Sequence, residues 1–164
     1  MTLLLSTLST PIGNLNLIAD EHVLLAANLS NLKALKESLS QEDSERDVKN
    51  VSRIPIITDL ISDYFEGDIA ALNAISVRQP GAHFSQEAWK AMKKVKAGKV
   101  ISYGELAERA GSPAAVRAAG SACAKNAIML VVPCHRIVKS GGALGNYAYG
   151  VNKKEWLLSH EGAL

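Results

Sequence analysis

Apolar and polar positions in the first third of the chain fall into short runs separated by turn residues. Leu, Ile, Val and Ala dominate residues 3–8, 15–19 and 23–28, with Pro11-Ile12-Gly13-Asn14 and Asp20-Glu21-His22 between them. Short β-prone runs joined by Gly, Pro, Asn and Asp predict a small antiparallel meander. The period then changes: Leu29, Leu32, Leu35 and Leu39 form a helical stripe opened by Ser30 or Asn31. Residues 41–50 are charged and aperiodic, and read as a solvated loop. A further helix is expected over 55–65, with Ile57, Leu60, Ile61, Tyr64 and Phe65 on one side and Gly67 beyond its end.

After a strand-and-linker stretch at 74–80 the pattern becomes helix-turn-helix. Residues 85–97 predict an amphipathic helix with Ala88, Trp89, Met92 and Val95 inward and lysines outward, stopped by Gly98. Val100 and Ile101 are extended, and Ser102 caps a helix over 103–110 with Glu105 in the capping-box position. Gly111 ends it, and Ser112 and Pro113 stand in N-cap and N1 order before another helix reaching about Lys125. Two helices across so short a turn are either a DNA-binding pair or a structural one. The second helix is almost all Ala and Gly, with Arg117 its one long side chain before Lys125. It lacks the several Asn, Gln, Arg or Lys that base readout in the major groove requires. Its small face suits close backbone approach to a minor groove with Arg117 entering the duplex, or an alanine-rich core helix with Arg117 on its wet side. The expected fold class is α+β: a small N-terminal α/β domain with an antiparallel sheet at 1–79, and a mainly helical C-terminal domain at 80–164 carrying the helix-turn-helix and the cysteine segment.

The chemistry concentrates in Val131-Val132-Pro133-Cys134-His135-Arg136-Ile137-Val138. The flanking runs read as strand or buried core, and Pro133 ends the first, which places Cys134 at a bend. His135 and Arg136 would supply positive surroundings that favour a thiolate, the reactive form of cysteine. A buried apolar cysteine beside a core histidine is the other reading of these eight residues.

The formal charge of +2 is too small to imply nucleic acid, but its distribution is uneven: residues 85–136 hold nine Lys or Arg against three Glu. Two cysteines, no signal peptide and no apolar run near 18 residues predict a reducing, cytoplasmic setting with no membrane partner and both thiols free. His22 and His83 have no nearby cysteine to join them in a metal site, so neither a metal nor any other cofactor is expected.

From about Phe84 to Gly162 the chain resembles the 6-O-methylguanine-DNA methyltransferase family, also called methylated-DNA--protein-cysteine methyltransferases; the first half, with Thr10-Pro11-Ile12-Gly13, is similar to the family's less distinctive N-terminal domain, which implies a ribonuclease-H-like fold for residues 1–79. The resemblance rests on Gly98-Lys99-Val100-Ile101-Ser102-Tyr103-Gly104-Glu105-Leu106-Ala107, the helix with Arg117, Asn126, Pro133-Cys134-His135-Arg136, Gly145-Asn146-Tyr147, and the end from Lys154 to Gly162. It implies direct, stoichiometric repair, in which Cys134 irreversibly accepts the alkyl group of 6-O-alkylguanine, and of 4-O-alkylthymine, in a single turnover. His135 would draw off the thiol proton through a water, with Glu161 orienting it. Tyr103 would turn the nucleotide out and donate to the departing base, Arg117 would fill the gap in the stack, and Asn126 would tie the DNA-binding helix to the cysteine segment. Ser102, Ala115, Ala118 and Gly120 would complete the DNA-binding face. Tyr147, Ala148, Met129, Val138 and Gly145 would shape the base pocket. The implied partner is double-stranded DNA, held through the minor groove with the damaged nucleotide flipped out, by a monomer able to cluster on DNA.

The chain departs from the family pattern at Ala127, where proline is usual, at Met129, where some members have proline, and at Ala148, where many have serine. The alternative functions are a non-catalytic alkylated-DNA-binding protein, a helix-turn-helix regulator and a thiol hydrolase. The first two have no use for Cys134; the last leaves the alanine helix around Arg117 without a purpose.

Overall fold

The computed structural model describes residues 2–164, which form an α+β protein of two compact units. One holds the chain up to Pro80 together with Ala127–Val131; the other holds Gly81–Asn126 and Val132–Leu164. The return at Ala127–Val131 is absent from a linear division of the sequence.

In the first unit, β1 (Leu3–Thr10), β2 (Gly13–Asp20) and β3 (Val23–Asn28) form the antiparallel meander that the turn residues predict. Pro11 and Ile12 make the first turn, closed by Gly13 at φ 120°, a conformation that favours glycine. A polar relay crosses the sheet: Thr7 Oγ1 donates to Asn16 Oδ1 at 2.8 Å, and Asn16 Nδ2 to Asn28 Oδ1 at 3.0 Å. Helix α1 (Leu32–Glu37) is capped by Asn31, which accepts from Ala34 N at 2.8 Å, and Leu35 packs with Leu3, Leu5, Ile18 and Leu25.

Residues 41–50 are not a loop. Ser40 caps a one-turn helix, α2 (Gln41–Ser44), by accepting from Asp43 N at 3.1 Å, and β4 (Val48–Asn50) joins β1 in parallel. The charges are used locally: Arg46 reaches Asp20 at 2.9 Å and Asp43 at 3.1 Å, and Arg78 joins both aspartates. Elements of three and four residues are too short for hydrophobic periodicity to register. Helix α3 (Ile57–Phe65) starts two residues after Pro55, because Ile56 sits at φ 72° outside helical space. With β5 (Ser76–Val77) parallel to β3, the sheet order is β4-β1-β2-β3-β5, an antiparallel centre with two parallel edges. Residues 127–129 also run beside β3: Ala27 N donates to Ala127 O at 2.9 Å, and Met129 N to Ala27 O at 3.2 Å.

The second unit contains α4 (His83–Lys93), β6 (Ile101–Ser102), α5 (Tyr103–Arg109), α6 (Val116–Lys125), a 3₁₀ turn at Cys134–Arg136, β7 (Ile137–Val138) and α7 (Val151–His160). Helix α4 ends before the expected residue 97, although Val95 stays buried. Helix α6 begins at Val116 and not at Pro113: Ala115 N bonds Ser112 O at 2.9 Å, so Ser112 and Pro113 open a turn that precedes the helix. Val131 and Val132 are buried in a turn, the core alternative of the two readings. Among the described residues no helix is long and apolar enough to cross a membrane.

Candidate active site

The site is assembled where short elements of the second unit meet. Strands β6 and β7 pair in parallel, Ile101 with Ile137 and Ser102 with Val138, which sets the start of α5 beside the Cys134 turn. Ser102 caps α5 by accepting from Glu105 N at 3.1 Å, so Tyr103 occupies its first turn. One face of helix α6 fits the core reading of its composition. Ala119 and Ala122 are fully buried, and Trp89 donates its indole N–H to Ala122 O at 2.9 Å, while Arg117 is exposed. Small side chains on one face pack the core; those on the other leave room.

A cavity of about 530 Å³ is lined by Val116, Arg117, Gly120 and Cys123 of α6, by Tyr103, and by Cys134. Lys139, Asn146, Tyr147 and Ala148 close it. The volume lies within the roughly 300–1,000 Å³ range of small-molecule sites. Gly145 (φ 77°) lets this loop pass close to Tyr103, since a Cβ there would lie 3.3 Å from Tyr103 Oη. Ala115 and Ala118 are half-buried around the exposed Arg117.

Three of the residues expected in the pocket, Gly145, Met129 and Val138, are not among those that line it. Met129 is buried in the first unit, where its backbone is engaged beside β3. Val138 is buried in the β6–β7 ladder and does not line the cavity.

Cys134 Sγ is approached by Asn126 Nδ2 at 3.5 Å, and the same amide donates to Val132 O at 2.8 Å. His135 Nε2 lies 2.8 Å from Glu161 Oε2, and both side chains are fully buried. Arg136 completes the group: Nε donates to Glu161 Oε1 at 2.9 Å, Nη2 to Oε2 at 3.0 Å and Nη1 to Val95 O at 2.7 Å. Burial works against ionisation of Glu161, but the bonds from His135 and Arg136 outweigh it and hold the carboxyl well below its usual range. Burial pulls His135 down, against the pull of Glu161. An ionised carboxylate only accepts, so Nε2 carries the hydrogen and Nδ1 holds the lone pair. Nδ1 is buried, with no protein hydrogen-bond partner.

The expectation that His135 and Arg136 favour the thiolate is overturned. Burial pushes the Cys134 thiol up, and the opposing influences are Asn126 and Lys154. Arg136 is spent on Glu161 and Val95, and His135 is kept neutral. Cys134 therefore rests as a thiol.

Lys154 is fully buried; its Nζ donates to Ile137 O at 2.6 Å and Asn146 O at 3.3 Å and lies 5.9 Å from the Tyr103 ring centroid. It thus joins β7 to the pocket loop. Sequence reasoning gave it no role, yet Lys154, Leu157, Leu158 and Glu161 follow the i, i+3, i+4, i+7 spacing of one helix face, and all four are buried. Two charged residues on that stripe were the available signal. Burial and the neighbouring Cys134 also push Cys123 up to about 12, and burial with both thiols pushes Tyr103 up to about 12.

The model of the 6-O-methylguanine DNA methyltransferase DNA-binding domain matches residues 83–163. A Salmonella typhimurium protein named methylated-DNA--protein-cysteine methyltransferase is 36% identical over 170 residues, covering 100% of this chain and 98% of that protein. The crystal structure of Mycobacterium tuberculosis O6-methylguanine methyltransferase aligns with a TM-score of 0.77 at 30% identity, covering 98% of this chain and 93% of that one. Mycobacterium tuberculosis OGT in complex with DNA aligns with a TM-score of 0.79 at the same identity and coverage.

Proposed function

The chain belongs to the methylated-DNA--protein-cysteine methyltransferase family, and from that premise we propose that Cys134 is the acceptor of the alkyl group, in a single irreversible turnover. The protein is a DNA-binding repair enzyme for alkylated bases. The observation that carries the finer reading is that Cys134 and Arg117 line one cavity.

In the proposed step Sγ attacks the alkyl carbon attached to guanine O6. The S–C bond forms, the O6–C bond breaks, and the thiol proton passes through a water to the Nδ1 lone pair of His135. Glu161 keeps that tautomer and stabilises the imidazolium. The departing base gains negative charge, and Tyr103, whose phenol stays protonated to about 12, donates a hydrogen bond to it. Asn126 links the end of α6 to the cysteine turn. The same displacement applies to 4-O-alkylthymine. A thioether gives no route back, so one chain acts once.

A base inside a duplex is out of reach of Cys134, so the nucleotide is extruded. The small outer face of α6 docks in the minor groove as a monomer, and Arg117 occupies the vacated stack. Arg117→Ala is expected to slow repair of a duplex lesion by at least about tenfold while changing attack on free 6-O-benzylguanine by less than about twofold, because the free base needs no flipping. Equal slowing on both substrates in single-turnover assays would assign Arg117 to the fold or the pocket.

The direct test is intact mass and peptide mapping after incubation with an oligonucleotide carrying 6-O-methylguanine. One added methylene on the Cys134 peptide is the expected result. An unmodified protein, or a methylene on Cys123, would overturn the assignment.

A further inference from the structure

The cavity contains a cation that methyl transfer does not use. Lys139 follows β7 in a closed turn, its N–H donating to Ala143 O at 2.9 Å and its carbonyl accepting from Gly142 N at 3.0 Å. A Cβ at Gly145 would lie 3.5 Å from Lys139 Cγ and 3.3 Å from Tyr103 Oη, so the lysine stem enters along the wall that faces Tyr103. The residue is exposed, and no carboxylate among the described residues pairs with its ammonium. The buried cations of this unit are committed: Lys154 to two carbonyls, and Arg136 to Glu161. Apart from Lys139 and Arg117, the lining is aromatic, small, thiol or amide.

A methyl group gains nothing from a charge at this place. An alkyl group that ends in a carboxylate does, because a negative adduct in a cavity whose sulfur becomes negative is repelled unless a cation on the same lining offsets the charge. We propose that Lys139 is a specificity-determining residue that extends transfer to anionic adducts, with a carboxymethyl group on guanine O6 as the representative substrate. In that transfer the Sγ–CH2 bond forms and the O6–CH2 bond breaks. The thiol proton goes to His135, and the product is S-carboxymethylcysteine with its carboxylate against the Lys139 ammonium. The inference rests on Cys134 being the acceptor, as proposed above.

The test compares single-turnover transfer from two duplexes of identical sequence, one with 6-O-methylguanine and one with 6-O-carboxymethylguanine, by the full-length protein and its Lys139→Gln and Lys139→Glu variants. The carboxymethyl-to-methyl rate ratio is expected to fall about fivefold in Lys139→Gln, the size of a solvent-accessible ion pair, and further in Lys139→Glu. A ratio that stays within about twofold in both variants overturns the proposal, including the case in which both substrates slow equally because Lys139 grips a DNA phosphate. Wild-type methyl transfer serves as the separate check: if it puts no methyl on Cys134, the acceptor assignment itself fails, whatever the variants do.

Discussion

Glu161→Gln is expected to destabilise the protein by roughly 3–5 kcal/mol, the cost of removing one partner from a buried ion pair. The carboxylate is fully buried and takes three bonds, one from His135 and two from Arg136. Glutamine keeps the shape but leaves the Arg136 guanidinium buried without a counter-charge, and its NH2 must face either a guanidinium or an imidazole N–H. A protein of this length has a total stability of about 5–15 kcal/mol, so the loss should appear as a fall in melting temperature on the order of 10 °C. A shift corresponding to less than about 1 kcal/mol in a thermal or denaturant melt would mean the network adds little. The same substitution tests the chemistry. With an amide donor facing His135, Nε2 becomes the acceptor and Nδ1 acquires the hydrogen, so the proposed general base is lost. Transfer per folded molecule should drop by about a hundredfold or more; an unchanged rate beside a lowered melting temperature would separate Glu161 from the relay.

The pH dependence of stability follows from the same two groups. The folded pKa of His135 is lowered, so below about 6.5 the unfolded chain binds the proton that the folded chain refuses, and stability falls with pH from that point. Glu161, also lowered, contributes stability above its unfolded value near 4.3 and loses it as pH falls further. Both act in one direction, so acid destabilisation begins well above the usual carboxylate range.

The elements legible in the sequence were those with enough length or a specific punctuation. The β1–β3 meander was marked by Pro11 to Asn14, α5 by Ser102 and Glu105, and α6 by its alanines, because each signal is local. What could not be read is set by contacts distant in sequence. Strand β4 exists because β1 offers an edge, and the backbone of Met129 is engaged beside β3. The electrostatics of Cys134 failed for the same reason: adjacency of His135 and Arg136 suggested a thiolate, but their partner Glu161 lies 25 and 26 residues on and consumes the charge. Lys154 is a separate case: its stripe is visible in the sequence, but lysine is almost never fully buried, so spacing alone does not mark it as a core residue.

The resting thiol makes a further expectation quantitative. A cysteine that reacted through ordinary ionisation, with a pKa near 8.5, would speed up about tenfold per pH unit between pH 6.5 and 8. Here burial pushes Cys134 up and His135 down, so across that interval the pair is a neutral thiol and a neutral imidazole, and in the proposed relay the proton moves within the site. The single-turnover rate should therefore be nearly flat from pH 6.5 to 8 and decline only below, as His135 protonates. In His135→Ala, solvent must take the proton: the rate at neutral pH should fall about a hundredfold, and the tenfold-per-unit slope should appear. Cys134→Ala removes the acceptor and should abolish transfer at every pH while undamaged and damaged duplexes still bind, because α6 and Arg117 are untouched. A wild-type rate that climbs steadily through pH 6.5–8 would dismiss the internal relay, and any methyl transfer by Cys134→Ala would pass the nucleophile's role to Cys123, the other thiol on the same cavity.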